Sequence, residues 1–544
     1  MQTIRKGTVK NASLAEPLAG VKLSVKDAEG QELLQIANDE QGHFSFEPPQ
    51  DPATIRFEKD GYVSKSLPFE EAGDLIRLLD DKLMGYQNKL NFKPGEEIEA
   101  FVHSPAPYTA TLYRHGIEKE NISGLGTHPA YSQSVPDRYF VESGLNWDGN
   151  FSYRIPKHAR PGIYSLLLEA EGQDPFAIPM VVSTPADQQE DNQILVLCST
   201  NNWQTYNIWG GRSRYRNFEM EASEDYMKNT GPVAELITSV AERMPQGLVY
   251  KIKELLNIEK EQPGWVYQPL SIRRPHTNCA LEDDYPDQPF TNHLAGGEWR
   301  VLAWLEQQGI PYDVCTGYEL HRNPQLLSGY EALLLSTHSE YWSRPMYEAI
   351  KQYHRQQGLW LINVSGNSIY REVDFMSDGS IRCLSTKFNK SVEDETQLIG
   401  VRFSESDYGT CAPYKVRQPE HWVFKGMEAA KKGTIFGESS LNRLTPPKYN
   451  RYDPGRPGVE DGLQGTGASG WETDKLSSTA PADFTVVAKG QNRWGGADMV
   501  VRDPSETRGG VFSASSITFG GTLLTDNTCS LILKNVLDNI LETS

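Results

Sequence analysis

Three short, nearly continuous apolar runs constrain this chain most: Ile194-Leu195-Val196-Leu197, Ala332-Leu333-Leu334-Leu335 and Leu359-Trp360-Leu361-Ile362-Asn363-Val364. Successive side chains of a strand point to opposite faces, so a strand apolar at consecutive positions must be covered on both. Between the runs, Trp299 to Gln308 and Tyr347 to Gln357 read as amphipathic helices. Alternation of this kind predicts an α/β domain over residues 193–544 with a mainly parallel sheet and helices on both faces. Sheets of that type bind ligands at the carboxyl ends of their strands.

Upstream the rhythm is different. Val21 to Val25, His43-Phe44-Ser45-Phe46 and Thr54-Ile55-Arg56-Phe57 alternate apolar and polar residues between Asp/Gly turns, which predicts a small β-sandwich over residues 1–82. The same pattern from Gly85 to Ser183, with Pro94-Gly95-Glu96, Asp148-Gly149-Asn150 and Pro161-Gly162 as turns, predicts a second sandwich over residues 83–184. A polar stretch containing Pro185 marks a linker at 185–192. A chain of 544 residues is too long for one core, which agrees with this division. Asn442 to Gly470 reads as a long Gly-rich loop.

Charge narrows the partners. Seventy-two acidic against 53 basic residues give a net charge of −19, and no Lys/Arg block offers a phosphate footprint, so nucleic acid and anionic membrane are excluded as partners. No run approaches the roughly 18 to 20 apolar residues of a membrane helix. The first residues lack the apolar core of a secretory signal. Six dispersed cysteines without a CxxC pair read as reduced thiols, and a cytoplasmic location is the expectation.

The three apolar runs lead into unusual polar segments. Ser199 to Asn207 follows the first, Ser336-Thr337-His338-Ser339-Glu340-Tyr341-Trp342 the second, and Ser365-Gly366-Asn367-Ser368-Ile369-Tyr370 the third. His338 and Glu340, two apart on extended backbone, face the same side and can meet one ligand. On composition alone such a pair is more often a satisfied polar contact than a catalytic one, and Trp203, Trp209 and Trp342 are more often packing.

These segments, with Glu298-Trp299 to Leu320-His321 and Gly509-Gly510-Val511-Phe512-Ser513, resemble in order the large (beta) subunit of N,N-dimethylformamidase over roughly residues 85 to 540. Residues 1–82 resemble the carboxypeptidase regulatory-like, immunoglobulin-like domain. The resemblance implies a class I glutamine amidotransferase-like α/β fold and a mononuclear iron amidohydrolase that cleaves a small, N-substituted amide, its metal held by two tyrosines and a glutamate. Tyr206 in Gln204-Thr205-Tyr206-Asn207 matches the first tyrosine and Glu340 the carboxylate. Where the family has Arg-Pro-Tyr, this chain has Arg274-Pro275-His276, which makes His276 the expected third ligand and Tyr267 and Tyr285 its substitutes. Hard oxygen donors favour Fe(III), one per chain; an imidazole shifts the balance toward Fe(II) or zinc. The resemblance further implies Glu472 as acid/base, His338, Asn367 and Lys387 as polar catalytic groups, and Trp209 and Phe512 as pocket walls. A homo-oligomer or a small partner subunit stays open. Two rivals stand beside this reading: a metal-free serine-type hydrolase using Ser339, although the turn lacks a G-x-S-x-G elbow, and a non-catalytic binding or scaffold protein that keeps the fold.

Overall fold

The structure is a computed structural model that describes residues 4–185, 193–221, 263–279, 281, 293–384, 387–427, 430–442 and 467–542. Most of the expected linker (186–192), the interior of the Asn442 to Gly470 loop (443–466) and Tyr285 lie outside the described residues.

The protein is multidomain and rich in sheet. The N-terminal unit packs a three-stranded sheet (Arg5–Asn11 between His43–Phe46 and Leu75–Leu78) on a four-stranded one (Glu32–Ala37, Lys22–Lys26, Thr54–Glu58, Lys65–Pro68). Strict alternation drives it: in Thr54–Glu58, Ile55 and Phe57 enter the core while Thr54 and Arg56 face water. The second unit pairs a three-stranded sheet with a five-stranded one, and its core also takes in Trp209, Leu270, Tyr341, Val373, Ile381 and Cys383 from beyond residue 200. That shared core fixes it to the C-terminal domain.

Among the described residues, the main sheet of the C-terminal domain has nine strands: β1 (Ile194–Cys198), β2 (Asp313–Thr316), β3 (Ala332–Thr337), β4 (Trp360–Ser365), β5 (Tyr414–Val416), β6 (Ile435–Phe436), β7 (Thr485–Gly490), β8 (Asp498–Arg502) and β9 (Val511–Ser513). They lie in the order β2-β1-β3-β4-β9-β8-β7-β5-β6. Pairings among β2, β1, β3, β4 and β9 are parallel; the four from β9 to β6 are antiparallel. The sheet is therefore mixed, not mainly parallel. The apolar runs announce only strands buried on both faces, whereas short strands such as Tyr414-Lys415-Val416, half-exposed at the centre, need no such covering.

Both faces of the parallel half are covered. Ile194 and Val196 of β1 join Val301, Leu302 and Leu305 of helix α2 (Ala295–Gln307) and Ile532 and Val536 of α4 (Asn527–Leu541). Leu195 and Leu197 join Met346, Tyr347 and Ile350 of α3 (Arg344–Gln356). Both expected helices start earlier than their apolar pattern. For α3 a cap sets the end: Ser343 Oγ accepts the Met346 N–H at 3.4 Å, and Pro345 occupies its first turn. Helix α1 (Thr200–Tyr206) follows β1 directly. The strand order reverses between β1 and β3, the crevice where sheets of this topology hold ligands.

Candidate functional site

Backbone strain gathers at the carboxyl ends of the parallel strands. Of the eight non-glycine residues with positive φ among the described residues, five lie here: Thr337 (48°) ending β3, Asn367 (53°) and Ile369 (52°) after β4, Trp471 (62°), and Ser515 (66°) after β9. Thr337 and Ile369 are β-branched, for which this region is a true outlier. Each such residue costs roughly 1–3 kcal/mol and persists only where its surroundings over-determine it. At this end of the sheet, side-chain placement is maintained against local preference.

The turn at Thr337 delivers His338 and Glu340 to the same side, with His338 Nε2 3.6 Å from Glu340 Oε2. Glu340 is completely buried. Its carboxylate accepts from Tyr206 Oη (3.0 Å), from Tyr215 Oη (2.7 and 2.6 Å to its two oxygens) and from Arg371 Nε (3.0 Å). Tyr341 Oη donates in turn to Tyr215 Oη at 2.7 Å. Burial first, then the Glu340 charge, push the Tyr206 and Tyr215 phenols well above their ordinary pKa, so with no metal ion bound both are neutral donors.

A second set adjoins the first through His338. Its Nε2 lies 3.2 Å from Glu472 Oε2. Asn367 Nδ2 donates to the same Glu472 oxygen at 2.8 Å. Burial opposes protonation of His338, but Glu472 and Glu340 outweigh it and hold the imidazole above its usual pKa. His293, 5.4 Å from His338 and 4.7 Å from Trp471 between ring centroids, is driven the other way by burial and by His338. Below them the buried Asp474 accepts the Asn367 N–H (2.7 Å) and the Ser368 N–H (3.3 Å). Burial lifts its carboxyl to about 7 against those two bonds. Gly366 permits this packing: a Cβ there would sit 2.3 Å from the Glu472 carbonyl oxygen and 2.6 Å from Ile517 N.

Tyr206, Glu340, His338, Asn367 and Glu472 thus come together from four separate chain segments. His276 is buried, its Nε2 has no hydrogen-bond partner among the described residues, and burial lowers its pKa to about 3. The second phenol on Glu340 belongs to Tyr215. Lys387 stands at the margin, its Nζ 5.7 Å from the Tyr370 ring centre. Trp209 is packed edge-on between Phe140 and Trp147 in the core of the second sandwich. Phe512 lies in the core against Phe519, and Tyr267 packs on the second sandwich. Ser339 is engaged through its backbone, its N–H donating to Ser365 Oγ (2.8 Å) and its carbonyl accepting from Trp342 Nε1 (2.8 Å).

Tyr215, Arg371, Tyr341, His293 and Asp474 were not singled out from the sequence. One local signal pointed to Tyr215: Gly210-Gly211, both at positive φ (96° and 85°), between two tyrosines nine residues apart. Adjacent glycines allow a chain reversal that returns the second tyrosine toward the first. Among the described residues no group of three His, Cys, Asp or Glu side chains is arranged to hold a metal ion. The convergent donors are one carboxylate and two phenols, an all-oxygen set of the kind that suits a hard cation.

Compared with known proteins, residues 109–530 match the model of a family described as N,N-dimethylformamidase beta subunit-like, C-terminal. No curated protein matches the chain. Among solved structures, a putative ThuA-like protein from Bacteroides uniformis is 12% identical, covering 44% of this chain and 84% of that one, at a TM-score of 0.25. A beta-galactosidase from Rahnella sp. R3 is 10% identical over 44% of this chain and 26% of that one, at 0.27. The alpha-2-macroglobulin of Escherichia coli is 15% identical over 33% of this chain, which spans only 12% of that protein, at 0.13. Scores this low support no statement about the present chain.

Proposed function

Because this chain belongs to the N,N-dimethylformamidase beta subunit-like family, we propose that its C-terminal domain is an amidohydrolase that cleaves the C–N bond of a small, N-substituted amide at the Glu340 cluster. The observation that carries the proposal is the junction at His338 of two buried groups: Tyr206 and Tyr215 on Glu340, and Asn367 on Glu472. The parallel strand order β2-β1-β3-β4-β9 also supports a class I glutamine amidotransferase-like reading of this half of the fold.

Tyr206, Tyr215 and Glu340 would hold one iron, and the all-oxygen donor set fits Fe(III) better than Fe(II) or zinc. When bound, that ion supplies Lewis acidity, polarising the amide carbonyl and easing deprotonation of water. The protein's own residues carry the proton. Glu472 takes it from the attacking water and returns it to the departing nitrogen, so that amide and water become a carboxylic acid and an amine. Asn367 Nδ2, bonded to Glu472 Oε2, holds that carboxylate in orientation. His338, whose pKa Glu472 and Glu340 raise, would in its protonated form offer a positive partner to the negative charge that grows on the carbonyl oxygen. Arg371 fixes Glu340 from the far side.

The serine-hydrolase rival needs a base on the Ser339 hydroxyl, and Ser339→Ala tests for one. The test is a panel of formamides, acetamides and larger amides, scored for amine release by iron-loaded and iron-free protein. Release that depends on iron and fails in Glu472→Gln supports the proposal. No release from any amide refutes it.

A further inference from the structure

The segment carrying Tyr215 is held in place from outside its own domain. It leaves helix α1 at Tyr206, turns through Gly210-Gly211 and brings back Tyr215, whose hydroxyl points inward although the residue is 37% exposed. One side of the turn rests on the second sandwich: a Cβ on Gly210 would lie 2.5 Å from Val141 and 2.9 Å from Phe140. The other side meets the N-terminal unit. Gly210 N–H donates to the Ser13 carbonyl at 2.6 Å. Gly211 packs so closely on Leu14 and Ala15 that a Cβ there would come 2.4 Å from the Ala15 Cβ.

That N-terminal loop is itself firmly built. Asn11 Oδ1 accepts the N–H groups of Leu14 (2.9 Å) and Glu16 (3.2 Å), Ser13 Oγ is bonded to Asp80, and Ala15 adopts φ 60°. Ala12, fully buried, enters the core that holds Trp209. A second contact lies beyond Tyr215: Arg77, 4% exposed and bonded to the Asn11 carbonyl, forms an ion pair with Glu219. The N-terminal unit therefore grips the segment on both sides of Tyr215, and it does so from residues upstream of those matched by the family.

We propose that the N-terminal sandwich is a positioning element of the candidate site: its Asn11 to Glu16 loop and Arg77 clamp residues 208–219 and thereby hold the Tyr215 hydroxyl on Glu340. This rests on the functional reading above for its consequence, but the clamp itself can be read without it. Tyr215 is attached to Glu340 from a partly exposed, glycine-hinged segment, and a two-point grip limits the conformations open to that hinge.

The experiment uses the full chain and three variants: Glu219→Ala, which removes the exposed half of the ion pair; Gly211→Ala, whose methyl group collides with Ala15; and Gly211→Ala with Ala15→Gly, which removes that collision while keeping the strain of alanine at positive φ. Amide hydrogen exchange is followed by mass spectrometry over residues 207–219, with β3 as internal reference. Exchange in 207–219 should rise about tenfold in both single variants and fall back toward wild type in the double variant, with β3 unchanged. In iron-loaded protein the visible tyrosinate band should weaken or move in the single variants and recover in the double. Wild-type exchange in both single variants overturns the proposal. So does equal exchange in Gly211→Ala with and without Ala15→Gly, which would assign the effect to turn strain alone. If exchange responds as stated while no form of the protein binds iron, the clamp stands and the metal reading falls.

Discussion

Replacing Tyr215 by Phe separates the two residues that can complete the donor set. The substitution keeps the ring and deletes one hydroxyl, which donates to Glu340 at 2.6 and 2.7 Å and accepts from Tyr341 at 2.7 Å. A hydrogen bond to a charged acceptor contributes roughly 1.5–3 kcal/mol, and a buried hydroxyl left without its partner costs about 1–3 kcal/mol. Tyr215 is 37% exposed, so water can replace part of both. A loss of about 2–3 kcal/mol in the metal-free protein is expected, read as a lower urea midpoint for the C-terminal domain. For the metal the contrast is sharper. Tyr215→Phe should lower bound iron from about one equivalent per chain toward none and abolish most of the visible tyrosinate absorption. His276→Gln should leave both unchanged, because among the described residues no hydrogen bond joins His276 to Glu340, whose phenol partners are Tyr206 and Tyr215. Elemental analysis and the absorption spectrum of protein purified in parallel decide the matter. Iron retained in Tyr215→Phe but lost in His276→Gln would refute the reasoning.

Three further outcomes are expected. Glu472→Gln should keep iron while kcat falls by about 10²–10⁴-fold, since the amide can still bond Asn367 but cannot carry a proton; turnover within a few-fold of wild type would remove Glu472 from the chemistry. Ser339→Ala should leave kcat within about twofold, and a collapse of activity there in correctly folded protein would revive the serine-type mechanism. Glu298, buried at the start of α2, has its carboxyl raised by burial from 4.5 to about 8, against the Ser199 N–H bond. The folded state then binds more protons than the unfolded state between those values, so this group lowers stability as pH rises from about 4.5 to 8. Glu298→Gln should therefore gain stability relative to wild type by on the order of a few kcal/mol more at pH 8.5 than at pH 5; equal differences in urea midpoint at both pH values would contradict this.

Local sequence was informative wherever one element dictates its own surroundings. Consecutive apolar positions in β1, β3 and β4 require cover on both faces, and the period-two spacing of His338 and Glu340 puts both on one side of the chain. The two sandwiches were likewise visible in alternation and turn residues, because a half-buried strand writes its orientation into every second position. The antiparallel half of the large sheet was not: Tyr414–Val416, Ile435–Phe436 and Val511–Ser513 span only two or three residues, too few for a period to emerge.

What the tertiary structure alone decided is which side chains meet Glu340. Arg274-Pro275-His276 drew attention by its place in the chain, whereas the second phenol hydrogen-bonded to Glu340 is Tyr215, returned through a glycine turn pinned by Ser13 to Ala15. Periodicity reports how a residue faces its immediate neighbours. The meeting of Tyr206, Tyr215, Glu340, Asn367 and Glu472 depends on five strained backbone positions and on contacts between units far apart in sequence. Those φ values are unfavourable locally and exist only because the surrounding packing outweighs them, so no local pattern in the sequence can encode them.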